Sequence, residues 1–170
     1  KFNSLYKTDV FKYPRIMTTP AKKIYSLKDL SKKMSKSDPS KGACIYLSDT
    51  DEEIIQKIKK ATTDSIVDGH FKFDPENRPG VSNLINIVAG IQRKEIIDVE
   101  KDIENLKNHS DLKKYVSNAI IEWIAEPREK YKAIRQDTEY LKSVALKGEI
   151  EARKIASENM KKIRAVMGFK

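Results

Sequence analysis

The sequence has one cysteine, two histidines, six glycines and six prolines in 170 residues. The single Cys44 excludes an internal disulfide and any zinc site built from several cysteines, and it fits a reducing compartment. His70 and His109 stand far apart with no metal-ligand spacing around them, so each reads as a surface or interfacial side chain. No apolar run approaches the ~20 residues that a membrane-crossing helix needs, which rules out a spanning protein, and no membrane partner is expected. No signal-peptide layout stands near the start. The first residue is Lys1, not methionine, which suggests a processed chain or an excised fragment. Internal repeats and low-complexity segments are also missing.

What the sequence has in quantity is charge. Lysine and arginine number 34 against 25 aspartates and glutamates, a net +9. The excess is uneven. Residues 1–49 carry 11 basic and 4 acidic side chains, a local +7; residues 50–140 carry 15 and 18, a local −3; residues 141–170 carry 8 and 3, a local +5. Two basic ends around a mildly acidic middle point to contact with a polyanion at defined places.

The first stretch is the least helical. Val10–Tyr13 and Lys23–Leu27 are short, β-branched or aromatic, and separated by Pro14 and Pro20, as strands or extended segments would be. Residues 31–42 are polar with Ser, Asp, Pro and Gly, a loop, and the short apolar run Ala43–Leu47 follows. From Asp49 the period becomes helical. Thr50-Asp51-Glu52-Glu53 has the form of a capping box, and Ile54, Ile55, Ile58 and Ala61 then share one helical face. Residues 62–79 read as an irregular connection. Leu84, Ile85 and Val88, then Ile96, Ile97, Ile103 and Leu106, have helical spacing. Ser110 is the expected cap of a helix that buries Tyr115, Val116, Ala119, Ile120 and Trp123, kinked or restarted at Pro127. A last helix is expected from about Glu149, with Ala152, Ile155, Ala156, Ile163 and Val166 inward and Gly168 as its stop. Cys44 reads as a small buried residue and Trp123 as core. Arg78, Arg93 and Lys94, flanking the Val81–Ile91 helix, read equally well as solvated helix ends or as contacts to RNA phosphates or bases.

The most informative segment is Lys32-Lys33-Met34-Ser35-Lys36-Ser37-Asp38-Pro39. Residues 32–41 hold four lysines and one aspartate, a local +3. Flexible ammonium groups beside serine hydroxyls suit the non-bridging oxygens of a polyphosphate. A mobile loop can also tighten those contacts as charge moves onto a leaving group.

That octapeptide resembles the KMSKS signature of class I aminoacyl-tRNA synthetases, in the form followed by Asp-Pro found in the tryptophanyl-tRNA synthetase family. The resemblance continues upstream in Pro14-Arg15-Ile16 and Lys23-Ile24-Tyr25-Ser26-Leu27. Downstream it continues in Ala61-Thr62-Thr63-Asp64-Ser65, Arg78 to Ile87, Ala156-Ser157-Glu158 and Met167-Gly168. Val81 to Arg93 in particular is similar to the fungal mitochondrial branch. The resemblance implies a mainly α fold. Residues 1–48 would be the C-terminal end of a Rossmann-type α/β catalytic domain with the signature loop, 49–147 an all-α helical anticodon-binding domain, and 148–170 a C-terminal helix.

It further implies a tryptophan–tRNA ligase that uses ATP and Mg²⁺, with tRNA(Trp) as partner and a homodimeric full-length enzyme. Lys33 and Lys36 would be the catalytic pair, and Ile24, Lys33, Met34, Ser35, Lys36 and Ser37 the ATP-binding set, with no metal ligand in this chain. The family's His-Ile-Gly-His-type signature does not occur, and the tryptophan pocket that goes with it lies in an N-terminal half not seen here. The chain is therefore expected to be the C-terminal half, inactive alone. A mitochondrial matrix enzyme is expected, with bacterial cytoplasm as the alternative. Two rivals stand beside this: the tyrosyl member of the class, against which Asp38-Pro39 and the Arg78–Ile87 stretch speak, and a non-catalytic basic helical RNA-binding module, which gives no reason for the loop sequence.

Overall fold

The computed structural model describes residues 1–17, 23–66 and 69–169. Pro20 and the stretch Val67-Asp68 of the irregular connection lie outside the described residues. Six α-helices are present among those described: α1 Phe2–Tyr6, α2 Asp51–Lys59, α3 Pro79–Gln92, α4 Ile96–Asp102, α5 His109–Gln136 and α6 Thr138–Val166. No β-strand forms among the described residues, so of the two readings of Val10–Tyr13 and Lys23–Leu27, strands or extended segments, the strands are corrected. Val10–Tyr13 runs as a bend and coil. Lys23–Leu27 contributes only an isolated antiparallel bridge between Tyr25 and Lys33. Two residues in ladder register are too few to propagate a strand. The chain divides into two compact units, Thr18–Tyr131 and Lys1–Met17 with Lys132–Lys170.

The larger unit owes its core to α2, α3, α4 and the first half of α5. The capping box forms as read: the Glu53 amide donates to Thr50 Oγ1 at 3.2 Å and the Thr50 amide to Glu53 Oε2 at 2.9 Å. Two orphan donors of the first turn are thereby satisfied. Ile54, Ile58 and Ala61 are buried, whereas Ile55 is on the outer face. The C-terminus of α2 is held by two lysines. Lys28 Nζ donates to the Lys60 carbonyl at 2.9 Å, and Lys113 Nζ to the Ala61 and Lys59 carbonyls at 2.8 and 3.2 Å. Cations on the last carbonyls also complement the helix dipole.

Helix α3 is the centre of this unit, with every residue from Gly80 to Ala89 except Asn86 buried. Pro79 at its first turn lacks only an amide that would be unpaired there. Gly80 follows because the chain passes close by. A Cβ at Gly80 would collide with the Thr62 carbonyl oxygen and come within 2.9 Å of Thr63 Cα. Leu84, Ile85 and Val88 of α3 join Val99, Ile103, Leu112, Val116 and Ile120 in one core cluster. Each such side chain contributes about 1.5–3 kcal/mol when fully buried. Ile97 of α4 is exposed instead.

Helix α5 starts one residue ahead of the expected cap. Asn108, not Ser110, takes that role, its Oδ1 accepting the Asp111 amide at 3.0 Å. Pro127 lies inside α5, and the helix continues without a restart. Trp123 is a correction: it is 56% exposed rather than part of the core.

In the smaller unit α1 ends at Lys7, with φ +48°. Phe2 packs tilted against Tyr6, ring centres 4.6 Å apart, and edge-on at 5.1 Å against Phe11. Helix α6 begins at Thr138, capped by Asp137 accepting from the Tyr140 amide at 2.9 Å. The expected start near Glu149, and with it a boundary at 147/148, falls inside this helix. None of its residues is buried. Ile155, expected inward, is 63% exposed. The stop at Gly168 holds, with φ +81°. No helix among the described residues is long and apolar enough to cross a membrane.

Candidate functional site

The loop of residues 28–42 closes on a narrow base. The Met34 amide donates to the Ile24 carbonyl and the Ser26 amide to the Lys32 carbonyl, both at 2.9 Å, while the Leu27 amide reaches the Ala43 carbonyl at 3.0 Å. Ser26 Oγ accepts from the Lys28 and Asp29 amides, both at 3.2 Å, and starts the turn. Asp29 then accepts from the Ser31 amide and hydroxyl and pairs with Lys32 at 2.9 Å. The Ser31 hydroxyl, then Lys32 and the Ser31 amide, lower the Asp29 carboxyl to about 2. Of the loop's five lysines, Lys32 is thus neutralised locally.

Lys33 and Lys36 are left as exposed cations in no ion pair among the described residues. Met34, between them, is half-buried and packs on the core. Ser35 and Ser37 face each other, hydroxyl oxygens 3.1 Å apart, and the Ser35 carbonyl accepts the Asp38 amide at 3.2 Å. Lys36 is steadied from behind. Its carbonyl accepts from Tyr46 Oη at 3.1 Å, the Tyr46 amide donates to Asp49 Oδ2 at 2.8 Å, and that oxygen pairs at 2.5 Å with Lys57 of α2. The Lys57 ammonium also lies 4.7 Å over the Tyr46 ring. A run of short-range contacts therefore ties the Lys36 backbone to a capped helix while its ammonium remains available.

Ile24 and Met34 form part of the lining of an apolar groove of about 630 Å³, with Ile45, Ile87, Ile120 and Trp123 among the other walls. The expected ATP set thus divides in two. Lys33, Ser35, Lys36 and Ser37 are the polar part of the loop, and Ile24 and Met34 face the groove. Exposure of Trp123, misread as core, comes from its place on this rim.

The family described as class I tRNA synthetases for tryptophan and tyrosine (W and Y) matches residues 1–125. The chain belongs to that family. Among curated relatives, the mitochondrial tryptophan–tRNA ligase of Saccharomyces cerevisiae is 47% identical over 99% of this chain and 44% of its own length. That of Dictyostelium discoideum is 38% identical over the same shares. A bacterial tryptophan–tRNA ligase, from Wigglesworthia glossinidia brevipalpis, is 37% identical over 99% of this chain and 50% of its own. The chain spans about half the length of the curated relatives it matches. A solved tryptophanyl-tRNA synthetase from Mycoplasma pneumoniae superposes with a TM-score of 0.80 at 24% identity, covering 99% of this chain and 50% of that one, a likeness of fold.

Other residues singled out from the sequence have structural roles. Arg78 is buried, its guanidinium forked onto Asp64 (Nε to Oδ2 and Nη2 to Oδ1, both 3.0 Å) and donating to the His70 carbonyl at 2.5 Å. That burial corrects both readings of Arg78, the solvated helix end and the RNA contact. Burial works against the Asp64 carboxylate, but the Arg78 hydrogen bond, the Ile66 amide and the charges of Arg78 and His109 outweigh it and lower its pKa. His109 Nε2 lies 3.3 Å from Asp64 Oδ1, and its ring meets Phe71 edge-on at 5.4 Å. Lys94 pairs with Asp102 at 2.5 Å, and Arg93 caps α3 with φ +54°. Burial, with Asp49 and Asp38 against Lys57, pushes the Cys44 thiol up, which keeps it unreactive.

Sequence reasoning missed Tyr46 and Asp49 behind Lys36, and Asn83, which bonds to the backbone of Tyr25. Their roles depend on contacts across 10, 8 and 58 residues. The only advance signal was that Asn83 falls at a core-facing position of α3.

Proposed function

We propose that this chain is the part of a tryptophan–tRNA ligase that grips the triphosphate of ATP and carries helices for tRNA(Trp). The observation that carries the reading is the base-clamped loop in which the ammonium groups of Lys33 and Lys36 are exposed and in no ion pair among the described residues, in a chain of this family. In the reaction, the tryptophan carboxylate attacks the α-phosphorus of ATP, tryptophanyl-adenylate forms and pyrophosphate leaves; the tryptophanyl group then passes to the tRNA 3′ end. Negative charge builds on the pyrophosphate as the bond breaks. Lys33 and Lys36 would meet that charge electrostatically, with Ser35 and Ser37 offering hydroxyl donors and Ile24 and Met34 the apolar side of the nucleotide site.

Residues 1–48 are assigned to the end of the Rossmann-type catalytic domain and the helices from residue 49 onward to the tRNA-binding region. The tryptophan pocket is assigned to the part of the relatives' length that this chain does not span. ATP with Mg²⁺ is the expected pairing. Among the described residues no three His, Cys, Asp or Glu side chains gather to hold a metal ion. Homodimerisation and, from the likeness to two mitochondrial enzymes, the mitochondrial matrix complete the reading.

Tryptophan-dependent exchange between ATP and pyrophosphate tests it in the full-length protein. Lys36→Ala should lower the exchange kcat by about 10²–10³, the loss expected on deleting one preorganised transition-state donor. The KM for tryptophan should not move. A loss of about tenfold or less would remove Lys36 from the catalytic role.

A further inference from the structure

The bridge beneath the loop leaves two backbone groups pointing the wrong way. Met34 donates to Ile24 and Ser26 donates to Lys32, so Tyr25 and Lys33 face each other as a non-hydrogen-bonded antiparallel pair. In such a pair the Cα atoms approach to about 4.5 Å and the N–H and C=O of each residue point away from its partner. Tyr25 therefore presents both groups to its other side, where a third strand would normally lie. Instead the side chain of Asn83 lies there. Its Oδ1 accepts the Tyr25 amide at 2.8 Å and its Nδ2 donates to the Tyr25 carbonyl at 3.0 Å.

We propose that Asn83 is a positioning residue for the ATP-phosphate loop, acting through Tyr25 on the backbone of Lys33. This rests on the ligase reading above. Asn83 is only 2% exposed, so without it both Tyr25 groups would be desolvated and unpaired. Its carboxamide copies the donor and acceptor of one peptide unit, which no other side chain of its length does.

Its own support is rigid. It projects from buried α3, flanked by Ser82, whose Oγ accepts the Asp74 amide at 2.8 Å, and by Leu84 in the core cluster. The start of α3 is wedged by Gly80 against Thr62, whose amide in turn donates to the Leu27 carbonyl at 2.8 Å. Three consecutive residues thus form a stem. Ile24 and Ser26 hold the returning limb of the loop, and Tyr25 between them is locked to α3. Freed from Asn83, the stem can shift while the rest of the fold stays, and Lys33 shifts with it.

The test compares Asn83→Ala and Asn83→Asp with the unaltered full-length protein by amide hydrogen exchange and by ATP–pyrophosphate exchange. The expected result is faster amide exchange at Tyr25, Ser26 and Met34 together, with the amides of Leu84, Val88 and Val116 unchanged. The exchange kcat should fall about a hundredfold, as for an ångström-scale misplacement of a reacting group, with KM for tryptophan unaltered. Asn83→Asp keeps the acceptor and the side-chain volume but sets a buried carboxylate oxygen against the Tyr25 carbonyl where the donor was, so it should show the same pattern at least as strongly. Asn83→Gln, which keeps both groups on a longer arm, serves if neither folds and should show the pattern more weakly. Unchanged amide exchange at the stem, or an unchanged kcat with the stem loosened, would overturn the proposal. If the unaltered protein shows no tryptophan-dependent exchange, the ligase reading has failed, and the amide exchange alone decides whether Asn83 holds the loop.

Discussion

Replacing Arg78 by methionine would separate a structural guanidinium from an RNA-binding one. In the folded chain only 7% of the Arg78 side chain and 13% of the Asp64 side chain are accessible, and the fork is bidentate. Methionine fills much of the same volume but leaves the Asp64 carboxylate facing His109 and the Ile66 amide without its main counter-charge, and it removes the hydrogen bond that Arg78 gives the His70 carbonyl. Removing one partner of a buried ion pair costs about 3–5 kcal/mol. For a chain of this size each kcal/mol moves the melting midpoint by about 2–4 °C, so Arg78→Met should melt about 6–20 °C lower. Arg78→Lys should recover little of that loss, because a single ammonium does not reproduce the planar fork. Circular dichroism on heating reads the shift, and a salt titration of tRNA binding by the folded variant reads the alternative. A midpoint unchanged from the parent, with a shallower salt dependence of tRNA binding, would refute the structural assignment and restore Arg78 as a phosphate contact.

Two further outcomes follow from the same corner of the fold. The Asp64 carboxyl is held below its usual range, so the stability it contributes is fully present above the unfolded value near 3.9 and disappears as pH falls through the folded value. Unfolding midpoints of the parent should therefore drop steeply below about pH 4, and Asp64→Asn should be less stable at neutral pH and flatter across that range; an equally steep acid limb in Asp64→Asn would place the titrating group elsewhere. Gly80→Ala tests the close passage of Thr62. Glycine to alanine inside a helix ordinarily stabilises by about 0.5–1 kcal/mol, yet here the added Cβ meets backbone atoms, and a loss of about 1–3 kcal/mol in urea unfolding is expected. A gain in stability would contradict the packing described.

What was legible in the sequence was whatever depends on neighbours a few residues apart. The capping box of α2 needs only Thr50 and Glu53, and it forms as read. The loop was legible because Ser, Asp, Pro and Gly make local turns, and its Lys33 and Lys36 are exposed and in no ion pair among the described residues. Helical faces were read to within a residue or two, but spacing alone does not say which flank of an apolar stripe meets the core, so Ile55, Ile97 and Trp123 were misplaced. The early start of α6 had a usable signal in Asp137 ahead of Tyr140, Leu141 and Val144, outweighed by the stronger alanine and isoleucine spacing after Glu149. Strand propensity in Lys23–Leu27 was real but unpartnered, and it yields a single bridge whose outer edge is covered by Asn83. The duties of Arg78, Tyr46 and Asn83 were not legible, since their partners come together only when distant segments pack.

The most direct measurement is a crystal structure of the full-length protein with a non-hydrolysable ATP analogue bound. The Nζ atoms of Lys33 and Lys36 should lie within hydrogen-bonding distance of phosphate oxygens, with the Ile24–Met34 and Ser26–Lys32 stem unchanged. Nucleotide bound with both ammonium groups turned to solvent, away from every phosphate, would contradict the assignment of this loop.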